Sequence, residues 1–213
     1  MNKKNTIKIL LVFILLLTAV FIVNYYWHFI YNKPTRNNKA ISIKKELADL
    51  NNNSLPENYV LINGQLSITE NANLIWQSPT DWHLDNFVLA DSNNDGSIEI
   101  NMSVWKAGNF GSSKPFWIKK NDLSIKNHFF VFGFIGGTVR PLWQSSNLEA
   151  PNCEFMIIDF DGDKKNDLVV IEGDYAREPN CPGNYLALWK WNGWGFSNEW
   201  RSQKENYPNL QFK

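Results

Sequence analysis

Hydrophobic positions change character along the chain. From Ile9 to Val23 every residue is apolar except Thr18, and Tyr25, Tyr26, Trp27, Phe29, Ile30 and Tyr31 follow. A run without a polar face is not the surface helix of a globular domain. With its aromatic end at the interface, Ile7 to Ile30 matches the roughly 20 apolar residues that a bilayer span requires. A cleaved signal peptide is the competing reading. Thr18-Ala19-Val20 is followed by bulky Phe21 rather than by a small-residue cleavage site, which favours an uncleaved anchor. The expectation is a single N-terminal transmembrane helix over residues 1–31. Residues 32–56 are polar and Asn-rich and read as a linker, with Ile43–Leu50 as their one helical hint.

Beyond residue 57 the pattern becomes that of short strands. Apolar stretches at Tyr59–Ile62, Phe129–Ile135 and Tyr185–Trp191 each run into a glycine turn, Asn63-Gly64, Gly136-Gly137 and Asn192-Gly193. Three segments, each after such a turn, end alike: Trp76-Gln77-Ser78, Trp143-Gln144-Ser145 and Trp200-Arg201-Ser202. These read as three β-hairpins. Two further segments also match: Phe87–Asp91 and Phe155–Asp159 are buried-type strands ending in Asp, each followed by an acidic loop and a second strand. The repeat is therefore strand, acidic loop, strand, connection, strand, glycine turn, strand. It predicts an all-β domain over residues 57–213, built of four-stranded antiparallel propeller-blade-like units, about two and a half of them. Open sheet edges would then need covering, by self-association or by a partner.

Charge sharpens this division. The formal net charge is zero, from 21 basic and 21 acidic residues. Residues 1–45 carry eight Lys and Arg and no acidic residue, so the body is acidic. Nucleic acid is excluded as a partner, since phosphate binding needs clustered Lys and Arg. Basic residues flank the apolar run on both sides, so charge alone does not orient it.

The acidic loops carry the most specific chemistry. One is Asp91-Ser92-Asn93-Asn94-Asp95-Gly96-Ser97-Ile98-Glu99, the other Asp159-Phe160-Asp161-Gly162-Asp163-Lys164-Lys165-Asn166-Asp167. Each places oxygen-bearing side chains at positions 1, 3, 5 and 9, a spacing that suits Ca²⁺, which takes six to eight oxygens. The alternative is a metal-free Asx-rich turn. An EF-hand is excluded, because position 12 is Met102 or Val170 and strands flank the loops.

The pattern D-x-[DN]-x-D-G-x-x-[DE] between two strands, over about residues 58–202, resembles the FG-GAP/VCBS repeat of integrin-like β-propellers. The resemblance implies Ca²⁺ held by Asp91, Asn93, Asp95 and Glu99, and by Asp159, Asp161, Asp163 and Asp167, with the Ser97 and Lys165 carbonyls contributing. It also implies an extracellular setting and affinities of about 10⁻⁴–10⁻³ M. Asn94 and Lys164 stand where the family usually has glycine, and family propellers close with more blades than this chain supplies.

Cys153 and Cys181 flank one loop–strand pair and would close about 28 residues if bridged, which requires an oxidising compartment; two free thiols are the alternative. Weak calcium sites and a bridge together point to a single-pass protein of the cell membrane with an extracytoplasmic body. No nucleophile, metalloprotease or phosphate-loop motif occurs, so catalysis is not expected. Asp81, Asp85, Glu149, Glu154, Glu172 and Asp174 would be the carboxylates available to a glycosidase. Trp76, Trp143 and Trp200 recur with the repeat and read as packing between units. Trp189, Trp191 and Trp194 are the candidate platform for a glycan, with core packing as the alternative reading. The functional expectation is a calcium-binding adhesion or binding module with a protein or glycan ligand; a polysaccharide-active protein is the rival.

Overall fold

The computed structural model describes residues 43–109, 119–120, 122–177, 181 and 183–210. The expected anchor over residues 1–31 lies outside them. Among the described residues no helix is long and apolar enough to cross a membrane.

Among the described residues twelve strands form three sheets. β1 (Ile43–Ala48), β2 (Glu57–Ile62), β3 (Gln65–Glu70) and β4 (Asn73–Gln77) make the first. β5 (His83–Ala90), β6 (Glu99–Ala107), β7 (Ile125–Ile135) and β8 (Thr138–Gln144) make the second. β9 (Asn152–Ile158), β10 (Asp167–Glu172), β11 (Tyr185–Trp191) and β12 (Phe196–Arg201) make the third. Every sheet is an antiparallel meander in chain order.

Two sequence expectations are corrected here. There are three complete units rather than two and a half, because Ile43–Ala48 is a strand and not linker or helix. It pairs with β2 from Ile43↔Ile62 to Ala48↔Glu57, so the β-domain reaches back into the stretch read as tether. Its weak apolar pattern is that of an edge strand with one open face. The second correction concerns turns. Asn63-Gly64 joins the second and third strands of its sheet, whereas Gly136-Gly137 and Asn192-Gly193 join the third and fourth. The equivalent turn in the first sheet is Asn71-Ala72, where both residues take positive φ (48° and 65°) without a glycine to betray it.

The Trp-x-Ser repeat has a structural cause. Trp76, Trp143 and Trp200 pair with Ile68, Val131 and Leu188, and in each case the residue just before the tryptophan is bulged out of register. Two residues on, Ser78, Ser145 and Ser202 continue the ladder. Their Oγ atoms accept from the amides of Leu66, Phe129 and Leu186 at 2.9–3.1 Å, and their own amides donate to the same residues' carbonyls at 2.8–3.1 Å. There the hydroxyl, not a backbone carbonyl, accepts the last ladder bond from the neighbouring strand.

The sheets stack through aromatic residues. Trp76 meets Phe132 at 5.7 Å between the first and second sheets, and Trp143 meets Phe196 at 5.4 Å between the second and third. Trp200, which meets no further sheet among the described residues, is 49% exposed. A buried polar tie also joins sheets two and three: Asn127 Nδ2 donates to Ser103 Oγ (3.0 Å), and the Asn152 amide donates to Asn127 Oδ1 (3.0 Å). Tyr175 accepts from the Asn127 amide (3.2 Å) and donates to the Leu148 carbonyl (2.9 Å). His128 lies fully buried on β7, and burial pushes its imidazole down to about 4, so it is neutral at pH 7.

The two outer faces of the stack differ. The C-terminal segment crosses the third sheet, where Gly183 bridges Tyr207 and the Leu210 amide reaches Glu154 (2.9 Å). A Cβ at Gly183 would collide with Ile171 and the Tyr207 carbonyl, so only glycine permits this approach. The outer face of the first sheet leaves Ile43, Leu47, Ile62 and Leu74 exposed.

Candidate metal centre

The Asp91 loop joins β5 to β6, and the Asp159 loop joins β9 to β10, at equivalent places in their sheets. Each is wound by its own side chains. The Asp95 amide donates to Asp91 Oδ1 (3.2 Å) and Asn93 Oδ1 (2.8 Å), the Gly96 amide to Asp91 Oδ2 (2.9 Å), and the Ser97 amide to Asp95 Oδ1 (2.8 Å). In the other loop the Lys164 amide donates to Asp159 Oδ2 (3.0 Å), the Asp163 amide to Asp161 Oδ1 (3.2 Å), and the Lys165 amide to Asp163 Oδ1 (2.8 Å). Positions 4 and 6 take positive φ in both, at Asn94 (61°) and Gly96 (91°), and at Gly162 (79°) and Lys164 (68°). Asn tolerates that region; Lys164 does so at a cost of about 1 kcal/mol.

The ninth residue closes each loop from below. Glu99 Oε2 accepts from the Ser92 amide (2.8 Å), and Asp167 Oδ2 from the Phe160 amide (3.1 Å). One carboxylate oxygen each from Asp91, Asp95 and Glu99 lie within 4.8 Å of one another, as do those from Asp159, Asp161 and Asp167. Oxygens on opposite sides of a Ca²⁺ stand about 4.6–5.2 Å apart, twice the 2.3–2.6 Å bond, so both triads fit a hard cation. The chemistry of the first triad asks for one. Glu99 is 1% exposed, and its Oε1 has no hydrogen-bond partner. Burial, chiefly, and then Asp91 and Asp95 push its carboxyl up to about 7 against the pull of the Ser92 amide.

Lys190, which belongs to no motif, changes the second triad. Its ammonium stands 2.6 Å from Asp161, 2.9 Å from Asp163 and 3.8 Å from Asp167. Lys190 lies opposite Asp167 in the β10–β11 register, one place beyond the Leu168↔Trp189 pair. At the corresponding place in sheet two, opposite Glu99, stands Gly133. The Asp159 loop thus holds a tethered cation that the Asp91 loop lacks. The two loops also touch, since Asn94 Oδ1 accepts from the Asn166 amide (2.7 Å) and Asn166 Nδ2 donates to the Asp91 carbonyl (2.8 Å).

The remaining candidates fall as follows. Cys153 and Cys181 are joined in a disulfide. Trp191 packs edge-on against Trp143 (6.2 Å) and Phe196 (5.2 Å), and Trp194 is 79% exposed beyond the turn. Trp189 lines a cleft of about 190 Å³ between the third sheet and the connection that precedes β9, with Glu149, Asn152, Glu172, Asn198 and Arg201. Buried Glu172 is held there by Arg201 at 2.6 Å. Compared with known protein families, with curated proteins and with solved structures, the chain has no match.

Proposed function

We propose that this is a membrane-anchored, extracytoplasmic, calcium-binding β-repeat protein that works as a binding or adhesion module. In this reading the three sheets are blades of an open stack of the FG-GAP/VCBS type, whose uncovered faces meet a partner or a second copy. The observation that carries it is the buried, unpartnered Glu99 oxygen beside Asp91 and Asp95, in a loop whose geometry recurs at Asp159–Asp167. Asp91, Asn93, Asp95 and Glu99 would hold one Ca²⁺, and Asp159, Asp161, Asp163 and Asp167 a second. The ion would neutralise crowded carboxylates and fix the loops between neighbouring sheets. The disulfide is consistent with an oxidising exterior.

The experiment is protease treatment of intact cells producing the chain. The body should be cut from outside, more slowly in Ca²⁺ than in EDTA, and Asp91→Ala should remove most of that difference. A body protected in intact cells and cut only after permeabilisation contradicts the exterior placement. Equal cleavage with and without Ca²⁺ contradicts the metal loops.

Lys190 yields a second prediction. Its ammonium must leave Asp161 and Asp163 before a metal enters the Asp159 loop, so Lys190→Met should tighten calcium binding there. A tethered ammonium this close to two of the ligating carboxylates competes directly with the metal, so the gain should be several-fold in affinity and shrink as salt is raised. Calcium titration of wild type and variant measures the change; unchanged affinity would show that Lys190 does not compete.

The cleft beside Trp189 favours a second reading, a sugar-binding module on the same scaffold, since an aromatic face with carboxylates and amides suits a hydroxylated ring. Binding on a glycan panel that is lost in Trp189→Ala would support it, and an unresponsive panel would remove it.

A further inference from the structure

The β1–β2 connection repeats the geometry of the two acidic loops, although its sequence, Asp49-Leu50-Asn51-Asn52-Asn53-Ser54-Leu55-Pro56-Glu57, holds only two carboxylates. The Asn53 amide donates to Asp49 Oδ1 (3.2 Å) and Asn51 Oδ1 (2.9 Å), as the Asp95 amide does to Asp91 and Asn93. The Ser54 amide donates to Asp49 Oδ2 (2.8 Å) and the Leu55 amide to Asn53 Oδ1 (2.8 Å), again as in the Asp91 loop. Positions 4 and 6 take positive φ once more, at Asn52 (59°) and Ser54 (70°). Glu57 closes the loop as Glu99 does, its Oε2 accepting from the Leu50 amide at 2.8 Å.

The chemistry at Glu57 points to a ligand. Glu57 is 0% exposed and its Oε1 is buried without a hydrogen-bond partner, the same state as Glu99 Oε1. A fully buried carboxylate oxygen left unpaired is costly, and a cation is a partner that relieves that cost while the group stays ionised. Tyr59 and Leu50 both bond the other oxygen, which leaves Oε1 as the atom free to meet a ligand.

Glu70 supplies a third carboxylate from another strand. It stands opposite Glu57 in the β2–β3 register, the place held by Gly133 in sheet two and Lys190 in sheet three. Its Oε1 accepts from the side-chain amides of Asn51 (2.9 Å) and Asn53 (2.7 Å). A carboxylate accepts only from the NH₂ end of an amide, so Glu70 turns both carbonyl oxygens toward the loop. Asn51 and Asn53 then present oxygen where Asp161 and Asp163 do. Asp49, Glu57 and Glu70 together supply three negative charges, the number Asp91, Asp95 and Glu99 supply in sheet two.

Deepening the calcium reading and resting on it, we propose that Asp49–Glu57 is a third cation site, for a hard divalent ion held by oxygens of Asp49, Asn51, Asn53 and Glu57, with Glu70 as the positioning residue. Because no lysine faces this loop from β3, the site is open to metal where the Asp159 loop is partly closed by Lys190.

The test is calcium-45 equilibrium dialysis of the purified full-length chain, as wild type and as the Asp91→Ala/Asp159→Ala double variant. The double variant should retain one equivalent of Ca²⁺, and adding Glu57→Gln should abolish it. Adding Glu70→Gln instead, which leaves the buried carboxylate in place, should weaken that equivalent at least threefold. Circular dichroism in EDTA checks that each variant is folded. A wild type that binds Ca²⁺ while a folded double variant binds none overturns the third site and leaves the calcium reading standing. A wild type that binds none overturns both.

Discussion

Phe129→Ala is expected to destabilise the fold by about 3–5 kcal/mol, the range for deleting a buried aromatic ring. Phe129 is buried on β7 and stands edge-on to Phe155 at 5.1 Å and Phe196 at 5.6 Å, so one ring joins the second sheet to two strands of the third. Its backbone is pinned on both sides by Ser145, with the amide given to Oγ at 2.9 Å and the carbonyl accepting at 3.1 Å. The strand therefore cannot collapse into the space the ring leaves, and the cavity term adds to the lost transfer energy. Urea unfolding, compared with Leu123→Ala at a position 73% exposed, measures it. The control should stay within about 0.5 kcal/mol. A loss below about 1 kcal/mol in Phe129→Ala would mean that the sheets do not stack through this ring.

Breaking the Cys153–Cys181 bridge should have the next largest effect. The sequence separation is 28 residues, and the enclosed stretch holds the Asp159 loop and all of β10. Loop-closure entropy for that length gives about 3–4 kcal/mol. The bridge ties β9, an edge strand of the third sheet, to the approach to β11, on the side where the C-terminal segment crosses at Gly183. The Cys153→Ser/Cys181→Ser variant and wild type under reductant should unfold at the same, lower urea concentration. Equal midpoints with and without reductant in wild type would remove the bridge from the account of stability.

Much of this architecture was legible in the residues because the repeat is written in local chemistry. Trp-x-Ser marks a strand end whose last ladder bond a hydroxyl accepts, and Asp-x-Asx-x-Asp marks a loop wound by its own side chains. What escaped notice escaped for the same reason. The Asn71-Ala72 turn reaches positive φ without glycine, so Asn63-Gly64 drew attention to the wrong junction. The Asp49 loop substitutes Asn at positions 3 and 5 and Ser at position 6, and its charge is made up by Glu70 on another strand. Lys190 is likewise invisible in one dimension, since only the β10–β11 register brings it opposite Asp167. β1 is half-exposed and charged, and its pattern is that of a tether until β2 pairs with it.

The central claim is that cations hold these loops. Its most direct test is a thermal melt of the purified chain without reductant, in EDTA, in about 2 mM CaCl₂ and in MgCl₂ as control. At a dissociation constant of about 0.2 mM, each occupied site adds roughly 1.4 kcal/mol by mass action. The account predicts a melting temperature several degrees higher in Ca²⁺ than in EDTA, little raised by Mg²⁺, with the gain reduced in Asp91→Ala. A cooperative melt at one temperature in all three solutions would contradict it and leave the loops as metal-free turns.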